Sequence, residues 1–194
     1  MKKAAIILAS LLACTSLTAC GSQTKNNKRS STTQASTQSN YYFNGTTANI
    51  HDVKIHIDKV SYYPAGEGTN DKNLICFDYT ITNKTNKDID AITGWQAVFS
   101  AYQDNKNTEG KLEVGALPGD TSEQILNDQM QNIKKGGSVK CRAAYELDST
   151  SKPVVLKATQ GLDGKAIGKK TYNINKLKTQ SDNTSSNDSA SSIQ

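Results

Sequence analysis

Two histidines and four cysteines are the side chains of this 194-residue chain best suited to chemistry. His51 and His56 stand an odd number of residues apart, which on one continuous strand puts them on opposite faces and away from a shared metal ion. A histidine-based dyad would also need a hydroxyl or thiol within hydrogen-bond reach, which only a fold can supply. Surface histidines are the simpler reading. Asp88 with Asp90, and Asp104 with Asn105 and Asn107, carry oxygens of the kind that hold Ca²⁺. Neither group completes a calcium loop, so solvated turn residues are expected there. No carboxylate pair stands out for glycoside cleavage. The chain has no GxSxG elbow, phosphate loop, HExxH or CxxC. No metal, cofactor or catalytic residue is therefore expected.

The cysteines divide by position. Lys2 and Lys3 precede an apolar run from Ala4 to Ala13, too short to span a bilayer, and small residues follow it. That is the form of a secretory signal peptide, and Leu17-Thr18-Ala19-Cys20-Gly21 resembles the bacterial lipobox. The resemblance implies cleavage between Ala19 and Cys20 and a diacylglyceryl group on Cys20. The mature chain would then be anchored to the outer face of the cytoplasmic membrane without spanning it. The competing readings are an ordinary signal peptide in which Cys20 is incidental, or an uncleaved anchor. Residues 1–19 are thus the leader, which also removes Cys14. Residues 20–40 are a polar tether in which Ala35 is the only aliphatic side chain.

Cys76 and Cys141 remain, on different predicted strands. Cys141 shares a face with Val139 and Tyr145, whereas Cys76 falls opposite Ile75, Phe77 and Tyr79. Two unbridged thiols are favoured over a disulfide, although a one-residue change of register would reverse that. Tyr62 and Tyr63, just before Pro64, are the candidate binding residues, since tyrosine presents contact area at low entropic cost. The alternative is that they plug the end of a core. For Phe43, Trp95 and Phe99, packing is expected.

The elements that must position these residues read mainly as strands. Val53, Ile55 and Ile57 alternate with polar neighbours, as do Ile75, Phe77, Tyr79 and Ile81, and Val139, Cys141, Ala143, Tyr145 and Leu147. Weaker strand candidates run through 92–102, 111–115, 154–159 and 170–174. One wet and one buried face per strand indicates antiparallel pairing. About seven short strands between turns argue for an all-β sandwich spanning 41–176. Asp120 with Glu123 resembles a capping box, so 121–134 is either a short helix ended by Gly136 or an irregular loop. Residues 177–194 read as a disordered tail.

Composition narrows the partners. The formal charge is +5 and the mean hydropathy is −0.61. Between Tyr41 and Lys176, however, 17 Lys/Arg face 16 Asp/Glu. The excess positive charge lies in the ends, which removes the main support for nucleic-acid binding.

Leu74-Ile75-Cys76-Phe77-Asp78-Tyr79-Thr80-Ile81-Thr82-Asn83 is an aromatic-rich strand ending at a turn asparagine. Val98-Phe99-Ser100-Ala101-Tyr102-Gln103-Asp104 with Gly110-Lys111-Leu112-Glu113, and Ile133-Lys134-Lys135-Gly136-Gly137-Ser138 followed by Ala144-Tyr145-Glu146-Leu147, are its companions. Together they resemble the immunoglobulin-like lipoprotein domain called domain of unknown function 5067, common in Gram-positive bacteria. The resemblance implies a sandwich at the cell surface and supplies no catalytic residues. The expectation is a non-enzymatic, monomeric interaction domain for a surface protein, glycan or wall component. An enzyme or enzyme inhibitor acting on the envelope is the alternative.

Overall fold

Alternation with period two builds the three longest strands: β3 (Val53–Tyr63), β4 (Leu74–Asn83) and β7 (Ser138–Glu146). They pair antiparallel in that order, with a bulge between Ile57 and Lys59. In the computed structural model residues 40–180 are described; Ala19, Cys20, the leader, the tether to residue 39 and the tail from 181 lie outside them. Two short strands, β1 (Tyr42–Phe43) and β2 (Thr47–Asn49), extend the first sheet to the order β1-β2-β3-β4-β7. The second sheet has the order β6-β5-β8-β9, from β5 (Phe99–Asp104), β6 (Glu109–Lys111), β8 (Val154–Thr159) and β9 (Ala166–Tyr172). Every pairing is antiparallel.

This is the immunoglobulin connectivity. β3, β4 and β7 stand where strands A, B and E stand in that fold, and β6, β5, β8 and β9 where C′, C, F and G do. The fourth strand of the first sheet, D, shrinks to one bridge between Val114 and Tyr145. The two sheets also meet along one edge, where β1 lies against β9. The approach is close enough that a Cβ on Gly168 would collide with the Phe43 carbonyl oxygen.

Nine strands form where about seven were expected, because β1 and β2 are too short to show a period. The stretch 92–102, expected as a strand, is helix α1 (Ala91–Val98) followed by β5. The Asp90 carboxylate caps the helix, accepting the Thr93 N–H at 2.8 Å. Ala91, Gly94, Trp95 and Val98 then make one buried helical stripe. The stripe lies so near β4 that a Cβ at Gly94 would strike the Ile81 side chain.

Helix α2 covers only Glu123–Asp128, and its cap is Ser122 rather than Asp120. The strand expected at 111–115 ends early at Lys111, and Leu112 turns into the core. The domain also runs past Lys176. Asn173 accepts the N–H groups of Asn175 and Lys176 and opens helix α3, residues 174–180, whose Ile174 and Leu177 are buried in the core.

Trp95 is the centre of that core. Its ring centroid lies 4.5 Å from those of Tyr79 and Phe99 and 5.4 Å from Phe77. Gln103 is fully buried yet satisfied. Its amide donates to the carbonyls of Ser149 and Lys152, and its oxygen accepts the Ser149 N–H.

Candidate functional site

The missing D strand leaves a gap beside β7, and the gap is a site. Val114 reaches β7 only at Tyr145; around it Glu146 donates its N–H to Glu113, and Gly115 donates to the Ala144 carbonyl, each at 2.9 Å. Same-side backbone groups recur at every second residue of an antiparallel strand. The Ala144 N–H and the Arg142 carbonyl therefore face the same edge, and among the described residues neither has a backbone partner there, but Ala144 is itself buried behind Gly115. The chain turns away through Leu117 and Pro118, and α2 packs on the remainder of β7.

Between them opens a slot of about 130 Å³. Tyr79, Trp95 and Tyr145 contribute its aromatic lining, Ala143 its wall, and Gln96 and Gln129 polar groups. Val114, one of the lining residues, is 59% exposed.

The outer face of the first sheet, at the same strand edge, is held by Arg142. Its Nε donates to Asp78 at 2.6 Å, and its Nη1 donates to Asp120 at 2.7 Å and to Thr121. Burial disfavours the charged guanidinium. The hydrogen bond and charge of Asp78, helped by Tyr63 and Asp120, outweigh that and leave its pKa raised. The network clamps the segment 115–121 over Leu74, Cys76 and Ala144, which form a small second core.

A wider cleft of about 350 Å³ lies at one end of the sandwich, where the β4–α1 and β8–β9 connections meet. Its charges are largely spent on one another. Asp52 accepts from Lys87 at 2.8 Å and lies 2.6 Å from His51 Nδ1, contacts that hold its pKa below the ordinary value.

The fold separates the residues singled out from sequence. Tyr62 and Tyr63 sit on opposite faces of β3 and make no joint patch. The Tyr62 hydroxyl donates to Asn73 and its ring packs on the main core beneath Lys178. Tyr63 donates to Asp120 and packs on the second core. His51 lies in the turn before β3, not on it. His56 does find a hydroxyl, with Thr47 Oγ1 at 2.8 Å from Nδ1 and Asp58 at 3.9 Å from Nε2. That array stands half exposed on an open sheet face, without the enclosure that excludes water from a reacting group.

Asp90 is a helix cap, Asp88 lines the end cleft, and Asp104 closes β5, so the acidic pairs are not gathered. Among the described residues no three such ligands converge. Cys76 and Cys141 are free and buried on opposite faces of their sheet, as the alternation required. Burial raises both thiol pKa values, that of Cys76 to about 12.

Sequence reasoning missed the slot because Trp95 and Tyr145 read as plain core. One signal was available: between Leu112 and Ile133 there are four acidic residues and no basic one.

The family model described as a domain of unknown function, DUF5067, matches residues 28–160. Among solved structures, a candidate lipoprotein from Staphylococcus aureus superposes with a TM-score of 0.60 at 23% identity, covering 69% of this chain and 91% of its own. A protein from Enterococcus faecalis follows at 0.53 and 19%, covering 69% and 92%. At these identities the likeness is one of fold. No curated protein matches the chain.

Proposed function

We propose, from the premise that the chain belongs to the DUF5067 family of domains of unknown function, that it is a membrane-anchored extracellular lipoprotein carrying a non-catalytic, monomeric interaction domain. The Leu17–Gly21 motif supports the anchor on Cys20, and the Staphylococcus neighbour is itself described as a candidate lipoprotein. The observation that carries the interaction reading is the slot: an aromatic lining beside the exposed side chain of Val114, where the D strand is reduced to one bridge. Catalysis would instead call for titratable groups converging in an enclosed pocket.

Both halves can be tested in cells. Cys20→Ala should move the protein from membranes to the medium, and retention would overturn the anchor. A photo-crosslinking amino acid at Val114 should give a discrete surface adduct that disappears when Ala143→Leu fills the slot. An adduct pattern indifferent to that substitution would overturn the site.

The alternative, an envelope enzyme or inhibitor, draws on the His51–Asp52–Lys87 chain in the end cleft. It is favoured if His51→Ala, and not Ala143→Leu, abolishes the protein's effect on the envelope.

A further inference from the structure

We infer that the edge where the chain enters the domain, along β1 and β9, rests on a bilayer that bears anionic headgroups. The inference rests on the reading of Cys20 as a lipid anchor and adds to it the face that meets the membrane.

Charge marks the edge. Residues 164–180 hold five lysines and no acidic residue. Lys165 precedes β9, Lys169 and Lys170 lie on it, and Lys176 lies on α3; all four are exposed. None of the four makes an ion pair among the described residues. Lys157, across from Lys169 on β8, is different, because Glu109 takes up its charge. Asp163 is the one carboxylate in the β8–β9 connection, so the edge stays net positive. Lysine on an edge strand ordinarily blocks pairing with another sheet. Here β1 already lies against β9, with the Phe43 carbonyl pressed on Gly168, and meets that need.

Position marks the partner. Tyr41 and Leu162 line the same end cleft, and a Cβ on Gly45 would lie 3.3 Å from Lys170 Cδ and 3.8 Å from its Nζ. From Tyr41 to Gly45 the entering chain therefore runs beside the lysine-bearing edge. Residues 21–40 can span at most about 70 Å. An anchor on Cys20 holds the edge within that distance of the bilayer, so even a weak attraction for headgroups becomes effective. Lys25, Lys28 and Arg29 of the tether have the same sign.

Apolar tips complete the face. Tyr42 is 41% exposed and Leu162 is 80% exposed. A tyrosine ring suits the headgroup level of a bilayer. Peripheral binding adds such apolar area to the attraction for anionic lipid.

Other surfaces and occupants fit less well. The far edge of the first sheet mixes signs, with Glu123 and Asp128 on α2 and Lys140 on β7. The chain's own residues 181–194 bring only Asp182 and Asp188 against five lysines.

The test uses the chain from Gly21 to Gln194, which lacks the lipid site. It is mixed with vesicles of equal parts phosphatidylglycerol and phosphatidylcholine, or of phosphatidylcholine alone. It should sediment with the anionic vesicles and not with the neutral ones. A lysine at such a surface is worth about fivefold in affinity, so Lys165→Gln with Lys169→Gln and Lys170→Gln should weaken binding at least about tenfold. Removing the same charge elsewhere, by Lys134→Gln with Lys135→Gln and Lys140→Gln, should cost less than about threefold, because distant charges are screened. Neutralising Lys25, Lys28 and Arg29 should leave the difference between the two triples intact.

Equal losses from the two triples would reduce the effect to net charge, and equal binding to neutral vesicles would take the headgroups out of it. Either result overturns the inference. So would tighter binding to soluble polyphosphate than to vesicles with the same dependence on the three lysines, which would give the edge to a polyanion in solution. Vesicle binding that appears only after residues 181–194 are removed would give it to the tail and overturn the inference as well. Cys20 is absent from every sample, so these outcomes are independent of the anchor, which the release of Cys20→Ala from cells tests separately.

Discussion

The indole Nε1 of Trp95 donates a hydrogen bond to the Tyr145 hydroxyl at 2.9 Å, tying helix α1 to the edge strand β7 across the core. Both residues are buried and both line the slot, so one bond fixes part of the slot's wall. Tyr145→Phe removes the acceptor and leaves a buried N–H without a partner, at a cost of about 1–2 kcal/mol. Thermal denaturation should show a fall in Tm of about 4 °C for a domain of this size. An unchanged Tm would mean that the indole finds another acceptor.

Arg142→Met should loosen the outer face. It leaves Asp78 and Asp120 without their shared cation, and for a pair that is only partly buried we expect a loss of about 2 kcal/mol. A structural readout accompanies the energetic one. The segment 115–121 covers Cys76, so its thiol should become accessible to alkylation in the variant while Cys141, on the core face, stays protected.

In the wild type neither thiol should react under native conditions at neutral pH. Cys76, with its pKa pushed up to about 12 by burial, holds almost no thiolate. In denaturant without reductant both should label, giving two additions by mass spectrometry on the chain from Gly21 to Gln194, which holds only these two cysteines. Failure to label there would mean a disulfide.

Asp52 gives a pH dependence of known sign. Hydrogen bonds from Lys87 and His51 hold its pKa below the ordinary carboxylate value of 3.8. Its contribution to stability is therefore present above that value and is lost as pH falls through the lowered one. The pair is near the surface, so the effect should stay under about 1 kcal/mol. Asp52→Asn should be slightly less stable than wild type at neutral pH, and the two denaturation curves should converge on acidification. A gap that persists in acid would assign the loss to packing.

The sequence exposed the long strands and concealed the gap between them. β3, β4 and β7 each have one face against the core, and Ile55, Phe77 and Cys141 report that face by simple alternation. α1 was misread because a helix of eight residues carries only two turns of period. Ile92 and Val98 also suit a strand, and the decisive cue, Asp90 ahead of the 91-94-95-98 stripe, is only four positions long. Asp120 looked like a cap because capping boxes are read from spacing alone, whereas Arg142, distant in sequence, claims its carboxylate. The slot could not be read at all. It exists because one strand of the immunoglobulin plan is reduced to Val114, and a missing partner leaves no pattern in the residues that lack it.

The seam between Phe43 and Gly168 sets how the domain would carry a load. Tension on the segment preceding Tyr41 enters the fold through β1, a strand of two residues paired only with β2 in its own sheet. Phe43 is its grip, with its ring edge-on to Phe99 at 5.1 Å and its backbone pressed against Gly168. A pull on that segment would peel these contacts first, while β3, β4 and β7, with nine or more residues each, stay locked. β1 is the mechanical fuse of the domain, and it lies on the edge of the sheet opposite the one that bears the slot.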